Sequence, residues 1–368
     1  MHLGISSVIT TIIIVSMYII LFLILSNQKF FLHYAGLNCG LFFFLCFSLR
    51  CIAPLELPFT HTIYFDFFFT TIRTFLTYKI NLHFFSLFMY QILLIIWVTG
   101  ILLLILRKWL YYKSVRKYVK LFGQKLYVKD SVSLQNIYLS YPEFKNVQVY
   151  FCSDIPGPVM IGIKQKLLVL PDTHYEDYEL PLIFQHEVLH FQHKDTIWKI
   201  LIDFLCTIFW WNPLFRLLQF RLLDIMEISV DIHLTNGMTI QQKQNYMDCL
   251  LHMLKYTKTS LVGSVYFSHN TLKRMRTRLK YIEKDYCQNK ISILITYILI
   301  IIFFILSFGI IFEPVYPLPN EENIIDFSKM YAIHHDNIYD IYCNGTYLIS
   351  EENLDLYPEN MEVYFNEN

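Results

Sequence analysis

Long apolar stretches alternate with basic and polar stretches along the chain. A membrane-spanning helix needs about 20 mostly apolar residues, and four segments meet that length: 4–26, 31–53, 84–106 and 291–313. The second segment carries Arg50 near one end, from which a long cationic side chain can reach the membrane surface. The pattern therefore predicts a mainly α-helical, multi-pass membrane protein with four transmembrane helices.

A fifth apolar block, 59–78, is rich in aromatic residues. It also contains Asp66 and Arg73, and charged side chains are costly within the hydrocarbon of a bilayer. The block is therefore predicted to be an interfacial segment rather than a further span.

Basic residues gather on both flanks of the stretch between the third and fourth spans. Lys and Arg close to span ends favour the cytoplasmic side, so residues 107–290 are predicted to form a cytoplasmic domain with a core of its own. Four spans then place the N-terminus and the tail 314–368 outside, and the turn 27–30 inside. The flanking residues are Arg107, Lys108, Lys113, Arg116, Lys117, Lys120, Lys125 and Lys129, then Lys273, Arg274, Arg276, Arg278, Lys280, Lys284 and Lys290.

Composition supports a membrane protein, because 55% of the residues are hydrophobic, 16% are charged and the mean hydropathy is +0.40. The formal net charge of zero hides an asymmetry: residues 321–367 hold eleven acidic residues and one lysine, a net charge of −10 that the remaining chain balances with +10. The eight cysteines are scattered without a CxxC pair, so neither a disulfide framework nor a cysteine metal site is expected. The basic runs adjoin spans, and direct nucleic-acid binding is not expected.

The stretch LPLIFQHEVLHFQHKD, residues 180–195, contains two histidines four positions apart with a glutamate beside the first. Pro181 suits the first turn of a helix, and on that helix His186 and His190 project from one face. Two imidazoles so placed can bind one zinc ion, and Glu187 is the predicted catalytic base that takes a proton from water. A chance occurrence of the motif is the alternative.

A catalytic zinc site of this kind needs a third protein ligand. A histidine six residues after His190 is excluded, because that position is Thr196. Residues 214–236 form a predicted helix that is nearly apolar all round, and its three carboxylates, Asp224, Glu227 and Asp231, share one face. Buried carboxylates are costly unless a cation compensates them, so Glu227 is predicted to be the third metal ligand.

Asp231 lies one helical turn beyond Glu227. It is predicted to support the site by accepting a hydrogen bond from the outer nitrogen of a zinc-binding histidine. The alternative for these carboxylates is a set of salt bridges with Arg216, Arg221 or lysines. The upstream histidine motif favours the metal-site interpretation.

From residue 107 to 313, and in its span layout, the chain resembles the integral-membrane zinc metallopeptidases of family M56, which are signal-transducing proteases best known as beta-lactam sensors. Five pieces match in order: IPGPVMIGIKQKLLVLP (155–171), HEVLHFQHKD (186–195), WWNP (210–213), the E-x-x-x-D pair of Glu227 and Asp231, and LKRMRTRLKYI (272–282). Val230 stands where the family often has Cys.

The resemblance implies a gluzincin-like α+β zinc peptidase domain, packed against the membrane and inserted between spans three and four. It also suggests that an edge strand near 158–170 holds the substrate backbone, with Gly162 and Ile163 as candidate binding residues. An ordinary core hairpin is the alternative. Asp195 matches the family too, but an end-of-helix role or a pair with Lys194 is the preferred interpretation.

The favoured hypothesis is a membrane-embedded zinc metalloendopeptidase that cleaves a cytoplasmic or juxtamembrane protein after an external signal. The resemblance suggests a winged-helix transcriptional repressor, or the protein itself, as substrate. A non-catalytic membrane receptor with a structural zinc is the alternative, but HExxH plus Glu leaves the fourth zinc position open. The stretch 314–368 holds no S-x-x-K, so it is expected to be a short acidic, solvated tail rather than a penicillin-binding sensor domain. We expect a bacterial cell-membrane protein, and a homodimer stays open.

Overall fold

The structure of the protein is a computed structural model. It describes residues 5–26, 36–52, 58–64, 66–81, 86–155, 157–162, 166–257, 268–283, 290–313, 330–335, 338–343, 345–351 and 362–365. The chain divides into two compact units, Met1–Glu313 and Pro314–Asn368. The first unit is mainly helical and the second contains strands.

The described helices are α1 (Ile5–Ser26), α2 (Gly36–Ile52), α3 (Asp66–Thr77), α4 (Met89–Phe122), α5 (Val132–Ser140), α6 (Glu179–Gln192), α7 (Asp195–Ile208), α8 (Pro213–Thr235), α9 (Ile240–Thr257), α10 (Ser268–Glu283) and α11 (Lys290–Leu306). The strands of the first unit are β1 (His61–Tyr64), β2 (Lys79–Asn81), β3 (Ser86–Phe88), β4 (Gln124–Leu126), β5 (Gln148–Cys152), β6 (Val159–Ile161), β7 (Leu167–Pro171) and β8 (Ile310–Glu313).

Two helices in the described part of the chain are long and apolar enough to cross a membrane, Ser6–Ser26 within α1 and Met89–Phe122, which is α4. The other two predicted spans correspond to shorter apolar helices, Asn38–Ile52 and Ile293–Leu306. The predicted inner turn 27–30 lies outside the described residues. The span count of four therefore stays a prediction.

The predicted third and fourth spans are wrong at their ends. Residues 86–88 form β3, which pairs with β2, and α4 begins only at Met89. The same helix continues through the basic flank to Phe122, because Lys, Arg and Leu are good helix formers and the stretch contains no proline. The end of the predicted fourth span, Ile310–Glu313, is β8, which pairs in parallel with β1. The aromatic block 59–78 is divided between β1 and α3.

Arg50 does not extend to a membrane surface, in contrast to the prediction. Its side chain is buried among α1, α2 and the end of α11. The guanidinium donates hydrogen bonds to Thr11 Oγ1 at 2.8 Å and to the Ser307 carbonyl at 3.3 Å, and it lies 4.6 Å from the ring centroid of Phe308. These partners satisfy the charge inside the protein, so exposure at the surface is not needed.

The largest core cluster joins the apolar N-terminal helices to α8. Ile19 of α1 and Phe44 of α2 pack in one buried cluster with Phe215, Leu218 and Leu222 of α8. α8 begins where it does because the Asn212 side chain accepts a hydrogen bond from Leu214 N at 3.0 Å, and proline follows at the first helical position. The predicted membrane region and the predicted peptidase domain therefore share a core.

A four-stranded sheet with the order β4-β5-β7-β6 supports α6. Strand β7 is buried at every position and pairs in parallel with β5, as a continuous apolar run predicts. Leu168 and Leu170 of this strand pack against Phe184 and Val188 of α6. This contact fixes the helix that carries the histidine motif.

Helix α9 packs against α6, and helix α10 packs against α8. Tyr246 and Leu250 of α9 form a buried cluster with Ile282 of α10. The packing brings polar side chains of both helices next to the histidine motif, although they are distant from it in sequence.

In the second unit the strands are β9 (Met330–His335), β10 (Ile338–Cys343), β11 (Thr346–Glu351) and β12 (Glu362–Phe365), and they form one sheet with the order β11-β10-β9-β12. Met330, Ala332 and Ile341 form a small buried cluster on this sheet. The expectation of a solvated tail is therefore wrong for these segments, because alternating apolar side chains give the strands a face to bury.

Gly40 of α2 and Gly100 of α4 allow a test of how the apolar helices pack. A Cβ at Gly100 would lie 2.6 Å from the Trp210 ring, whereas a Cβ at Gly40 would meet its nearest neighbour at 3.8 Å. Alanine in a helix is otherwise favoured over glycine by about 1 kcal/mol. We expect Gly40→Ala to be neutral or stabilising and Gly100→Ala to lower the free energy of unfolding by roughly 1–3 kcal/mol through overpacking. The unfolding temperatures of the two variants in detergent measure these effects. Equal changes in the two unfolding temperatures would contradict the close contact between Gly100 and Trp210.

Candidate metal centre

The histidine motif lies on α6, whose first residue stabilises the helix start. The Glu179 carboxylate accepts a hydrogen bond from Glu176 N at 2.9 Å and places a negative charge at the positive end of the helix. Further along the same helix, His186 and His190 lie one turn apart. Their side chains point toward each other, and their Nε2 atoms are 3.1 Å apart. Both imidazoles are buried.

A carboxylate from α8 completes the cluster. Glu227 Oε2 lies 3.6 Å from His186 Nε2, and Glu227 Oε1 lies 3.5 Å from His190 Nε2. One potential ligand atom from each of the three residues falls within 4.8 Å of the others. The crossing of α6 and α8 thus brings together the three residues that were expected to bind the metal.

The chemistry and spacing of these atoms suit zinc. Two imidazole nitrogens and a carboxylate oxygen are ordinary zinc donors. In a tetrahedral site with bonds of about 2.0–2.2 Å, neighbouring donors are about 3.4 Å apart, and the separations here are 3.1, 3.5 and 3.6 Å. Within the described ranges no fourth His, Cys, Asp or Glu joins the group, and catalytic zinc sites combine three protein ligands with a water molecule.

Asp195 orients His190. The Asp195 Oδ2 atom accepts a hydrogen bond from His190 Nδ1 at 2.5 Å, and its side chain is buried. The chain turns back at Lys194, whose φ of +57° lies in the left-handed region that L residues rarely adopt. The preferred interpretation of Asp195, an end-of-helix residue or a partner of Lys194, is therefore wrong. Its hydrogen bond leaves the Nε2 lone pair of His190 facing the cluster.

A tyrosine stands between His186 and Asp231. The Tyr246 hydroxyl donates to Asp231 Oδ1 at 2.7 Å and accepts from His186 Nδ1 at 2.9 Å. The separation of His186 Nδ1 and Asp231 Oδ1 is 3.7 Å, too long for a hydrogen bond. The direct bond predicted for Asp231 is therefore wrong, because Tyr246 occupies the position between the two groups. Asp231 acts on the histidine through the tyrosine.

Arg278 of α10 balances the buried charge of Asp231. Its Nε donates to Asp231 Oδ2 at 2.6 Å and its Nη2 donates to Asp231 Oδ1 at 2.7 Å. This paired geometry is the strong form of an arginine–carboxylate contact. The neighbouring carboxylate, Asp224, is bonded to Arg274. A salt bridge, the alternative weighed for these residues, is thus present at both positions, but its partners come from α10.

Two cations also contact Glu227. Lys199 Nζ lies 3.3 Å from Oε1, and Arg278 Nη1 lies 3.6 Å from Oε2. Burial by itself raises the pKa of the Glu227 carboxyl group, but the charges of His190 and Lys199 outweigh burial and hold this pKa well below its usual value. Glu227 is therefore ionised and ready to bind a cation.

The pKa of His190 is shifted in the opposite direction, upward. Burial by itself lowers the pKa of His190, but the Glu227 carboxylate and the hydrogen bond to Asp195 outweigh it and raise the pKa to about 10. A metal ion that binds Nε2 must displace a proton from this imidazole.

Glu187 follows His186 on α6 and is buried. The negative charge of Glu187 helps to raise the pKa values of His190 and Lys199, which places its carboxylate near the cluster. None of the described side chains forms a hydrogen bond or ion pair with this carboxylate.

The predicted substrate strand is present in part. β6 pairs with β7 and forms one edge of the sheet as far as the strands are described. Gly162 follows β6 with φ of +107°, which favours glycine, and Ile163 lies outside the described residues. The substrate-binding role stays a prediction.

Four side chains of the site received no role, or the wrong one, from the sequence: Asp195, Lys199, Tyr246 and Arg278. Asp195 and Lys199 are four positions apart on α7, directly after the motif, and that spacing was an available signal. Arg278 lies in the basic stretch that was explained by membrane topology. No sequence signal indicates Tyr246, because only the packing of α9 brings it to His186.

The fold and the site together define a mainly helical protein with span-length apolar helices and a His-His-Glu cluster whose two histidines are buried. The chain belongs to the BlaR1 peptidase M56 family, whose model matches residues 80–282. The match includes both histidines, the glutamate ligand and all four residues that support them.

Two relatives show the extent of the similarity. The regulatory protein BlaR1 of Staphylococcus aureus is 23% identical over 256 residues, which cover 65% of this chain and 43% of the relative. The methicillin resistance mecR1 protein, from S. aureus and from Staphylococcus epidermidis, is 32% identical over 134 residues, or 33% of this chain and 21% of the relative. The aligned part of this chain spans less than half the length of each relative.

We expect Asp195→Asn to weaken zinc binding by about 10–100-fold, because the amide no longer fixes the His190 tautomer as a carboxylate does. Competition between the purified protein and a chromogenic chelator measures the dissociation constant. Asp130→Asn, at an exposed position remote in sequence from the site, is the control and should leave the constant unchanged. Equal affinities for all three proteins would mean that the hydrogen bond to Asp195 does not orient a ligand.

Proposed function

We propose that the chain is a membrane-bound zinc metalloendopeptidase that holds one zinc ion between His186, His190 and Glu227. The observation that carries the proposal is the three-donor cluster, in which Asp195 orients one histidine and Tyr246 orients the other. Membership of the M56 family supports the same function. A structural zinc in a non-catalytic receptor needs a fourth protein ligand, and the described residues supply three.

The protein side chains have separate tasks in peptide hydrolysis. Zinc, when bound, polarises the attacking water and the scissile carbonyl. Glu187 accepts a proton from the water and delivers it to the leaving amine, and its carboxylate has no bonding partner among the described side chains. Asp195 and Tyr246 keep both Nε2 atoms directed at the cluster, and Lys199 holds one oxygen of Glu227.

The proposed topology has four spans, formed by α1, α2, α4 and α11. The basic flanks of the stretch 107–290 support a cytoplasmic position for the gluzincin-like peptidase domain. The N-terminus and the acidic stretch 314–368 then lie outside. Two of the helices meet the length and hydropathy of a span by themselves, and the relatives named above are bacterial proteins.

The proposed substrate is a cytoplasmic or juxtamembrane protein, cleaved after a signal from outside. The position of β6 at one edge of the sheet, among the described strands, supports recognition of an extended segment by strand addition. A winged-helix repressor and the chain itself are the two substrates that the family suggests. The words "regulatory protein" describe the S. aureus relative, and a regulatory cleavage is consistent with them.

Glu187→Gln should abolish cleavage while zinc stays bound, because the amide cannot accept the proton whereas the three ligands are unchanged. The expected loss of turnover is about 10²–10⁴-fold. Comparative proteomics of cells with either protein identifies the lost cleavage product, and metal analysis of the purified proteins gives the zinc content. Glu283→Gln, an exposed change, is the control. Undiminished proteolysis by Glu187→Gln would remove this residue from the reaction.

A further inference from the structure

Helices α7 and α8 form an antiparallel hairpin that starts beside the metal cluster and turns at Phe209–Asn212. The segment Ile208–Pro213 is called the hairpin tip here. Asp195 and Lys199 lie at the start of α7, and Glu227 lies in the second half of α8, so the tip points away from the metal cluster. The contacts of the tip with α1, α2 and α4 show how deep in the membrane the tip lies.

The contacts with α1 give a first measure of depth. Asn212 Nδ2 donates to Ser16 Oγ at 3.2 Å, and Ser16 lies in the middle of α1. Arg221, further along α8, donates to Ser26 Oγ at 3.0 Å, and Ser26 is the inner end of α1 in the proposed topology. At 1.5 Å per residue, the tip is about 15 Å from that end, which is half of a hydrocarbon core of about 30 Å.

The contacts with α2 and α4 agree with this depth. The ring of Phe215 lies 5.3 Å from the ring of Phe47 in α2. Phe47 is about 16 Å along this helix from Gly36, which is the inner end of α2 in the proposed topology. The Trp210 ring packs on Gly100, and Trp97 Nε1 donates to the Ile208 carbonyl at 2.6 Å. These α4 positions precede Arg107, the first residue of the basic flank, by about 10–15 Å. All three helices therefore place the tip near the middle of the spans.

Several polar groups of the tip backbone are bonded to protein groups, as hydrocarbon requires. The carbonyl of Ile208, at the end of α7, accepts the Trp97 indole N–H. The Asn212 side chain caps α8 by accepting from Leu214 N, and Asn212 N donates to the Phe209 carbonyl at 3.0 Å. Pro213 has no N–H to satisfy.

The outer face of the hairpin is apolar. Large apolar side chains that are 39–53% exposed follow it from end to end: Leu201, Phe204, Trp210, Trp211, Leu217 and Phe220. This face continues the exposed apolar surface of α4, which has the composition of a span. Lipid chains can therefore cover both surfaces without a break.

The charged side chains between Leu201 and Arg221 all have polar partners. Asp203 accepts from Lys108 Nζ at 2.7 Å and from Gln219 Nε2 at 3.1 Å. Arg216 donates to Gln219 Oε1 at 3.0 Å, which directs its charge away from the tip. The Asp203–Lys108 ion pair is the form in which ionisable side chains occur at membrane depth, whereas Arg216 is exposed and has a neutral amide as partner.

We propose that α7 and α8 form a re-entrant hairpin whose tip reaches the middle of the bilayer and whose outer face is covered by lipid acyl chains. Glu227 then lies about 9 Å beyond Arg221 on the inner side, so the metal cluster is held close to the inner membrane surface. The proposal rests on the proposed span topology and is independent of peptidase activity.

Tryptophan quenching in vesicles tests the depth of the tip. The full chain is reconstituted in phosphatidylcholine brominated either near the headgroup or near the middle of the acyl chain. The emission contributed by the tip is the difference between the native protein and Trp210→Phe/Trp211→Phe. We expect this emission to be lost preferentially with mid-chain bromine and to resist aqueous acrylamide. Quenching by acrylamide in place of bromolipid would overturn the proposal, and protection from both would indicate a second protein copy over the tip and also overturn it.

Trp97→Phe separates failure of the hairpin from failure of the topology. Trp97 belongs to the proposed span α4, so its emission should also be lost to mid-chain bromine. If the Trp97 contribution is quenched and that of the tip is not, only the re-entrant hairpin is wrong. If neither is quenched by bromolipid, the span topology itself is wrong.

A charge placed on the hairpin gives a second test. Leu217 is 51% exposed on the hairpin, and Ile240 is 79% exposed at the start of α9. We expect Leu217→Lys to lower the unfolding temperature of the reconstituted protein and Ile240→Lys to leave it unchanged, because only the first lysine would enter hydrocarbon. Equal unfolding temperatures for the two variants would contradict lipid contact at Leu217.

Discussion

The course of α8 determines both the core of the first unit and the geometry of the metal cluster. Its first half packs against α1 and α2, where Phe215, Leu218 and Leu222 are almost fully buried. Its second half presents Glu227 to the two histidines of α6. Because one continuous helix makes both contacts, a displacement among the apolar helices changes the position of Glu227 relative to the two histidines.

The cluster depends equally on groups that do not touch the metal position. Asp195 and Tyr246 each bind the outer nitrogen of one imidazole, and these bonds leave both Nε2 atoms facing Glu227. Arg278 bonds Asp231 and approaches Glu227, so α10 contributes positive charge to a buried acidic site. The charges of Glu227 and Asp231 are tolerated there because each has a partner of opposite sign.

The sequence was most informative where chemistry and spacing are local. Two histidines one turn apart on a helix share a face whatever the tertiary structure is, and a carboxylate on an apolar helix requires a cation. The ends of the predicted spans were less certain, because hydropathy does not distinguish Ile310–Glu313 as a strand from the end of a helix. The burial of Arg50 was also inaccessible, since its partners Thr11 and Ser307 lie in other helices.

The sequence by itself determined the apolar helices, the histidine motif and the choice of Glu227, because each follows from periodicity or from the cost of burying a charge. Only the tertiary structure decided that Tyr246 stands between His186 and Asp231. It also decided that the hairpin tip contacts the middle of α1 and of α4. These are contacts between residues far apart in the chain. Their geometry depends on how whole helices pack, and a pattern within one helix contains no information about its neighbours.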